Sequence, residues 1–435
     1  MVAGTSRTET SPHARDDRPL GRDREQRPLS GDERRMVALL GVPTLALALA
    51  VTVVSTYLPV VAEGIVGSTV VIGVIIGLEG LIALWLPLVV GSWSDGLSTR
   101  IGGRLPFLIV GTPVLVIGLV AMGFVGSVLT LGGAALVFFF GYFLAYEPYR
   151  ALYPDAVGEE IAGRSQGTQA LFRGLGTGLA LLGGGLLLGV GKSVPFIAAA
   201  CAFAAAISAF GVALARRGVP DSERTGRGSL AHEARHLWRL VRDRPALQAF
   251  LLANALWELT LAAMKTFVVL YVTKGLGYSR TTAALAIGGV ALVVLLAALV
   301  SGKLADRFGR LRVLRIALPI YGLGFLVPFV FSSPALVACS IPFIAIGGGV
   351  IMALPYAVLM PLMPEREHGA LTGFYSVSRG LGTWLGPLFA GLAITGLSGV
   401  FAATRGYQAV WGVCAAATLL SLWPLRHLRA HRDAE

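Results

Sequence analysis

The sequence predicts an all-α polytopic membrane protein with twelve transmembrane helices, arranged as two parallel six-helix repeats. Its 435 residues are 55% hydrophobic and only 14% charged, with a mean hydropathy of +0.73. A soluble domain has no means of burying so much apolar surface. Apolar runs recur along the chain at lengths that suit a bilayer, and the two halves share short landmarks. These observations together predict a duplicated membrane protein.

Twelve apolar runs are each long enough to cross a bilayer as a helix. In the first half they lie at about residues 36–61, 68–91, 106–127, 130–153, 166–190 and 194–215. In the second half they lie at about residues 246–273, 281–301, 313–332, 335–360, 371–395 and 405–425. We therefore expect an N-terminal six-helix bundle over residues 35–215 and a C-terminal six-helix bundle over residues 246–426.

Polar segments flank and join these bundles. Residues 1–34 are rich in Arg, Asp and Pro and contain no apolar stretch ahead of a cleavage site, which predicts a disordered cytoplasmic tail rather than a signal peptide. In the linker over residues 216–245, Leu237, Leu240 and Val241 share one helical face. This pattern predicts an amphipathic helix on the inner leaflet, with a binding site for a soluble partner as the alternative. Residues 427–435 are expected to form a second cytoplasmic tail.

The placement of charge predicts the orientation. A net charge of +12 would suit a nucleic-acid partner, but Lys and Arg concentrate in the tails, the linker and alternate loops. The opposite loops hold only Lys192, Lys274, Arg280 and Arg405. We therefore expect a multi-pass monomer in the inner (plasma) membrane, with both termini cytoplasmic and no nucleic-acid partner. The three cysteines lie inside apolar runs and indicate packing rather than disulfides or a metal site.

Three landmarks repeat between the halves at similar offsets. Residues 91–95 (GSWSD) correspond to residues 302–306 (GKLAD), 211 positions later. Residues 173–177 (RGLGT) recur unchanged 206 positions later, and the Pro-Tyr pair at residues 148–149 recurs 207 positions later. The second, fourth and fifth predicted helices thus correspond to the eighth, tenth and eleventh. Six helices per repeat give both repeats the same orientation in the membrane.

The run from Gly302 to Arg310, with the pattern G-x-x-x-D-R-x-G-R, resembles the loop signature of the major facilitator superfamily. In the first half, G-x-x-S-D from Gly91 and P-x-R-A-L-x-x-D from Pro148 resemble motifs of sucrose–proton symporter-like proteins. The glycoside–pentoside–hexuronide:cation symporters are a neighbouring branch. The resemblance implies alternating access and proton-coupled movement of a small polar solute such as a sugar or glycoside, with neither enzymatic activity nor a cofactor.

The chain departs from the sucrose symporters at two places, and the second concerns proton coupling. Their double arginine is Gly103-Arg104 here, and Phe139 stands where they carry an acid in the fourth helix. Proton coupling therefore needs another carboxylate, and we expect it at Glu79 or Glu258. An ionised carboxylate facing lipid near the bilayer centre costs at least ~3 kcal/mol, so Glu79 must face protein or water. The alternative for Glu79 is a structural hydrogen bond between helices.

The seventh predicted helix carries a polar face. Asn254, Glu258 and Lys265 recur at helical spacing, and Trp257 stands beside them. The superfamily lines its central cavity with the first, fourth, seventh and tenth helices, so the resemblance implies that these four residues and Tyr356 contact the solute. The alternative is a structural Glu258–Lys265 pair, although two turns separate its members by about 10 Å.

An inner gate is expected at the cytoplasmic end. Glu147 and Arg150, at i and i+3, predict a local ion pair, with a solute contact as the alternative. The helix pairing of the superfamily implies two latches, in which Asp95 accepts hydrogen bonds at the start of the eleventh helix and Asp306 does so at the start of the fifth. We expect Arg379 and Arg173 near those two helix starts. The alternative is that these arginines pair only within their own half. The predicted gate residues are Asp95, Arg104, Glu147, Arg150, Asp155, Arg173, Asp306, Arg307, Arg310 and Arg379.

Three functions are compatible with this scaffold: solute uptake with protons, drug or metabolite efflux, and a non-transporting assembly or sensing role. Efflux members often carry G-x-x-x-G-P-x-x-G-G in the fifth helix, which here lacks the proline. A partial match, Gly382-x-x-x-Gly386-Pro387, lies in the eleventh helix instead. Membrane-embedded carboxylates are hard to explain in a protein that does not transport. The sequence contains neither a metal-ligand cluster nor a phosphate-binding loop, which argues against an ATP-driven pump.

Overall fold

The structure, a computed structural model, describes residues 30–97, 99, 104–157, 159–217, 239, 241–362 and 368–428. Its long helices are numbered α1 to α12 in chain order. The first half contains α1 (Gly31–Val66), α2 (two segments, Thr69–Ala83 and Leu86–Gly96), α3 (Leu105–Met122), α4 (Val128–Val157), α5 (Glu159–Val190) and α6 (Val194–Arg217). The second half contains α7 (Pro245–Leu270), α8 (Arg280–Phe308), α9 (Arg310–Val330), α10 (two segments, Pro334–Ala353 and Pro355–Leu359), α11 (His368–Gly396) and α12 (two segments, Ala409–Leu420 and Leu422–Leu425).

Each predicted apolar run falls on one of these helices, and the predicted fold class is confirmed. Within the described ranges, ten helices, α1 to α10, are long and apolar enough to cross a membrane. The two segments of α12 form a shorter apolar stretch, Ala409–Leu425. Helix α11 is 29 residues long but contains His368, Arg379 and many Gly, Ser and Thr residues, which lower its hydropathy.

The first helix begins earlier than predicted. Ser30 caps α1 because its Oγ accepts a hydrogen bond from the Glu33 amide at 3.2 Å, while the Glu33 carboxylate accepts one from the Ser30 amide at 2.7 Å. Residues 31–34 are therefore helical and do not belong to a disordered tail. The expectations for residues 1–29 and for Leu237 and Leu240 of the linker fall outside the described residues.

Two prolines break long helices. Pro87 lacks the amide hydrogen that would continue α2, and its ring would clash with the carbonyl four residues back, so α2 divides after Ala83. Pro355 divides α10 after Ala353 in the same way. Both breaks lie toward the end of the bundle at which α1 and α7 begin, which we call the terminal face.

The loop signature joins α8 to α9 through one residue. Gly309 has a φ of 87°, in the region that glycine adopts without strain, and α9 begins at the next residue. Arg310 then donates a hydrogen bond of 3.0 Å to the Ala357 carbonyl at the end of α10. The glycine therefore allows the sharp reversal, and the arginine ties the start of α9 to α10.

The two halves meet mainly through α2 with α11, α5 with α8 and α1 with α7. The first two pairings are those that the superfamily resemblance implies. In α2, a Cβ at Gly80 would lie 2.2 Å from the Trp384 amide nitrogen of α11. Only glycine permits this approach, so the backbones of α2 and α11 are in direct contact.

Polar contacts join the halves at the end opposite the terminal face, which we call the far face. Glu63 near the end of α1 pairs with Lys274 just after α7 at 3.2 Å. Thr69 at the start of α2 donates a 3.0 Å hydrogen bond to the Gly391 carbonyl of α11 and lies 2.9 Å from the Thr395 hydroxyl. The halves are thus closed against each other at the far face.

Candidate functional site

A cavity of about 80 Å³ lies between the halves, with room for several water molecules. The bend of α2 at Ala83 and Pro87 forms part of its wall. Its functional groups come from α2, α4 and α11: Glu79, Tyr142, Tyr146, Glu147, Arg150 and Arg379. Charged side chains from both halves therefore meet at one internal space.

Glu79 lies about 15 Å along α2 from its start at the far face, near the middle of the bundle. The residue is half-buried and lines the cavity. Lys265, Arg379 and Glu258 lie within electrostatic range of its carboxyl group. Glu79 makes neither an ion pair nor a hydrogen bond with another described residue, so the structural hydrogen bond considered as an alternative is absent from this part of the chain.

Glu258 of α7 pairs with Arg379 of α11. Arg379 Nε donates to Glu258 Oε1 at 2.8 Å, and the Glu258 side chain is only 18% exposed. The alternative pairing of Glu258 with Lys265 is wrong, because Glu258 turns toward α11 instead. Lys265 is half-buried and forms no ion pair among the described side chains.

Arg379 and Arg173 lie deeper than predicted. We expected both arginines near the starts of their helices, but α11 begins at His368 and α5 at Glu159. Each arginine therefore lies at least three turns into its helix. The prediction that both lie at the terminal face is therefore wrong. Arg379 binds Glu258 near the middle of the bundle. Arg173 is exposed and lies within electrostatic range of Tyr142 and Tyr146, which line the cavity.

Two of the residues predicted to contact the solute are buried between helices instead. Asn254 is buried, and its Nδ2 donates to Ser378 Oγ of α11 at 2.8 Å. Trp257 is fully buried, and its Nε1 donates to Ser421 Oγ between the segments of α12 at 2.8 Å. In this conformation neither side chain lines the cavity, because α11 and α12 cover these faces of α7.

Tyr356 lies on the second segment of α10, where its side chain is exposed. Its ring packs edge-on against Tyr375 of α11, with 5.7 Å between ring centroids. It also lies within electrostatic range of Arg150. The predicted aromatic contact is therefore placed near the charged end of the cavity.

The predicted local pair at the end of α4 is present. Arg150 Nη1 lies 3.5 Å from Glu147 Oε2, and its guanidinium group lies 5.6 Å from the centroid of the Tyr146 ring. Tyr146 in turn stacks on Tyr142, one turn earlier, at 5.2 Å. Sequence reasoning overlooked Tyr146, although its i, i+4 spacing from Tyr142 was a detectable signal.

The other predicted gate residues lie near the terminal face. Arg104 is half-buried at the start of α3, while Asp306 is exposed and forms no ion pair within the described ranges. Arg307 is exposed, with its guanidinium group 5.2 Å from the centroid of the Phe308 ring. The side chains of Asp95 and Asp155 lie outside the described part. The alternative, that the arginines pair within their own half, holds for Arg379, which binds Glu258. The latches themselves stay predictions for the state in which the terminal face is closed.

The architecture and the mid-depth charges define a polytopic membrane protein built from two six-helix repeats around a central cavity. The family model described as Major Facilitator Superfamily matches residues 44–290 and 260–434. The chain belongs to the major facilitator superfamily.

Curated relatives match only part of the chain. An uncharacterized MFS-type transporter of Mycobacterium tuberculosis is 30% identical over 105 residues, 24% of this chain and 15% of the relative. The uncharacterized MFS-type transporter YfiU of Bacillus subtilis is 31% identical over 86 residues, 20% of this chain and 17% of the relative. The chain thus matches less than a fifth of the length of either relative.

Solved structures match nearly the whole chain. An inward-facing bacterial homologue of the human lysosomal transporter Spinster has a TM-score of 0.73 at 14% identity, covering 92% of this chain and 96% of that one. The nucleoside transporter NupG has a TM-score of 0.71 at 14% identity, covering 92% and 99%. A bacterial homologue of the iron transporter ferroportin has a TM-score of 0.69 at 15% identity, covering 91% and 98%. At these identities the likeness concerns the fold alone.

Proposed function

We propose that this protein is a secondary active transporter that moves a small polar solute by proton-coupled alternating access. The observation that carries the proposal is the Glu79 carboxyl group, which lines an internal cavity between the halves without an ion-pair partner among the described residues. An ionised carboxylate at such depth is costly and marks a proton or solute pathway. Glu79 is therefore the first candidate for the coupled proton, and Glu258, already bound to Arg379, is the second.

Alternating access requires that the halves close at one face while the other opens. In this conformation the Glu63–Lys274 pair and the Thr69 hydrogen bonds close the far face. Opening that face requires these contacts to break while α2 and α11, and likewise α5 and α8, move against each other. Both termini are proposed to be cytoplasmic, so this conformation would release or collect solute on the cytoplasmic side of the plasma membrane.

The proposed solute is a sugar or glycoside. Support comes from the resemblance of residues 148–155 to the sucrose symporters and from the cavity itself, where Tyr142 and Tyr146 present stacked aromatic rings. Aromatic faces bind the apolar faces of sugar rings, and charged groups nearby bind the hydroxyls. Proton-driven efflux, the alternative direction, would use the same carboxyl groups.

The experiment is solute-induced proton movement in proteoliposomes that hold a pH-sensitive dye. Sucrose, maltose, melibiose and lactose are added in turn, and at least one is expected to carry protons inward. Glu79→Gln or Glu258→Gln should abolish accumulation against a gradient, while at least one of these variants keeps solute exchange. Glu79→Asp, which keeps the carboxyl group, should retain coupling.

Two results would count against the proposal. The coupling sites are wrong if both glutamine variants concentrate solute as the unmodified protein does. Sugar uptake is wrong if an inward proton gradient drives a loaded sugar out of the vesicles, which would establish efflux instead.

A further inference from the structure

The two halves differ at one equivalent position. Each copy of Arg-Gly-Leu-Gly-Thr has a glycine three residues after its arginine, and this glycine packs on the first helix of its half. A Cβ at Gly382 would lie 2.6 Å from Glu258 Cβ of α7, and a Cβ at Gly176 would lie 3.1 Å from Ala48 Cβ of α1. Ala48 therefore occupies in the first half the place that Glu258 has in the second.

This substitution leaves one arginine without its carboxylate. Arg379 is neutralised by Glu258 at 2.8 Å. Arg173, its equivalent in α5, has a methyl group in place of that acid and pairs with no carboxylate among the described residues. Both repeats therefore carry the arginine, but only the second repeat carries the carboxylate that pairs with it.

Arg173 lies within electrostatic range of Tyr146, which lines the cavity. The guanidinium groups of Arg173, Arg150 and Arg379 all lie within electrostatic range of the Tyr146 hydroxyl group. Glu147 pairs with Arg150 and Glu258 with Arg379, which leaves the charge of Arg173 for another anion. The Tyr146 hydroxyl group, within electrostatic range of Arg173, is a further hydrogen-bond donor.

The count of charged side chains at the cavity also favours a bound anion. The described charged side chains at or beside it are the cations Arg150, Arg173, Lys265 and Arg379 and the carboxylates Glu79, Glu147 and Glu258. Cations outnumber carboxylates by one, and by two when Glu79 carries a proton. A bound anion would balance this excess of positive charge and would accept charge-assisted hydrogen bonds from the guanidinium group.

We propose that the solute carries a carboxylate group that binds Arg173, in the way that the Glu258 carboxylate binds Arg379. The guanidinium fork matches the two oxygens of a carboxylate and binds them bidentately. The inference rests on the proposed transport function and narrows its solute class to acidic molecules. Tyr146 places its hydroxyl group beside the same anion, and Tyr142 stacks behind it.

The experiment measures binding to the purified protein without a gradient, so its outcome is independent of coupling. Matched neutral and carboxylated probes are compared: glucose with glucuronate, galactose with galacturonate, and glycerol with glycerate. At least one acid is expected to bind ten-fold or more tightly than its neutral counterpart. Arg173→Gln should remove that preference, whereas Arg173→Lys, which keeps the charge, should retain part of it.

Ala48→Glu supplies the missing carboxylate within the protein and should compete with the acidic probe, lowering its affinity ten-fold or more. Ala48→Gln has the same size without the charge and should keep the preference for the acid. A higher melting temperature for Ala48→Glu than for Ala48→Gln would show that the new pair forms.

The inference is overturned if no acid binds more tightly than its neutral counterpart, or if the preference survives Arg173→Gln. Proton-coupled uptake of a neutral glycoside that is indifferent to Arg173→Gln would also overturn it while leaving the proposed function intact. Arg173-dependent binding of an acid without any proton movement would instead uphold the anion site and contradict the proposed coupling.

Discussion

Arg379 Nε of α11 lies 2.8 Å from Glu258 Oε1 of α7, whereas Ala48 of α1 stands at the position equivalent to Glu258 in the half that carries the equivalent arginine, Arg173 of α5. The pair joins two helices of the second half next to the cavity, and the first half has no counterpart to it among its described residues. The second half therefore carries a neutral ion pair beside the cavity, whereas Arg173 of the first half pairs with no carboxylate in the described part of the chain. This difference separates the two repeats chemically, although their helices correspond one to one.

Breaking the Glu258–Arg379 pair should destabilise the protein because it leaves one charge without its partner. Glu258→Gln or Arg379→Gln alone is expected to cost about 1.5–3 kcal/mol, the usual range for a hydrogen bond to a charged group. The double variant removes both charges and should be closer to the unmodified protein. Thermal unfolding of the detergent-solubilised protein measures this, with Arg280→Gln, at an exposed position, as the control. A double variant as unstable as the two single losses combined would contradict the pairing.

The close approach of α2 to α11 predicts that Gly80→Ala is harmful. The added Cβ would lie 2.2 Å from the Trp384 amide nitrogen and 2.4 Å from the Gly380 carbonyl oxygen, so the helices must separate. Overpacking of this kind costs about 1–3 kcal/mol. We expect a lower melting temperature and loss of transport.

Gly183→Ala is the matched control, because a Cβ at that position of α5 meets nothing within 4 Å. Alanine is favoured over glycine in a helix by roughly 0.5–1 kcal/mol, so this variant should be neutral or slightly more stable. Equal behaviour of the two variants would show that α2 and α11 do not need their close contact.

The Glu63–Lys274 pair should hold the far face closed. Both side chains are partly exposed, so the pair is worth up to about 1 kcal/mol and its loss should shift the ratio of conformations by up to about five-fold. Glu63→Gln and Lys274→Gln are each expected to increase labelling of a cysteine introduced between the halves near Thr69. The labelling rate is measured in a background without Cys201 and Cys339, both of which are exposed. An unchanged rate in both variants would exclude a gating role.

The two latches predicted from the loop signature concern the terminal face. Asp306 is exposed in this conformation, which is the state expected when the terminal face is open and the latch is broken. A formed latch, with its carboxylate bound to a helix start, is worth on the order of 1–3 kcal/mol. Asp306→Asn and Asp95→Asn should therefore both raise the accessibility of cysteine probes near the end of α4. A double variant that folds normally and labels as the unmodified protein does would rule the latches out.

Hydropathy and internal repetition predicted the fold well, because both act along a single helix. Length and apolarity decide whether a segment suits a bilayer, independently of its neighbours. The i, i+3 spacing likewise predicted the Glu147–Arg150 pair, since both partners lie on one helix at fixed separation. The shared face of Asn254 and Glu258 was also correct, as both contact α11.

Sequence patterns did not predict the contacts between helices. Helical periodicity shows which residues share a face but not which neighbour covers it, so Trp257 was expected in the cavity and lies against α12 instead. Glu258 was expected to contact the solute, with a pair to Lys265 on its own helix as the alternative. It binds Arg379 instead, because a neighbouring helix supplies a partner at hydrogen-bonding distance.

The sequence by itself determined that this is a duplicated, multi-helix membrane protein of the major facilitator kind, and it singled out Glu79, Glu258, Arg173 and Arg379 as candidates, although it placed the two arginines too close to the starts of their helices. Only the tertiary structure decided that Ala48 stands opposite Glu258. The reason is that the two repeats do not share one offset: α5 and α11 correspond at 206 positions, whereas Ala48 and Glu258 are 210 apart. The loops and turns between the helices absorb that difference, so the missing carboxylate becomes visible only where α1 packs on α5 and α7 packs on α11.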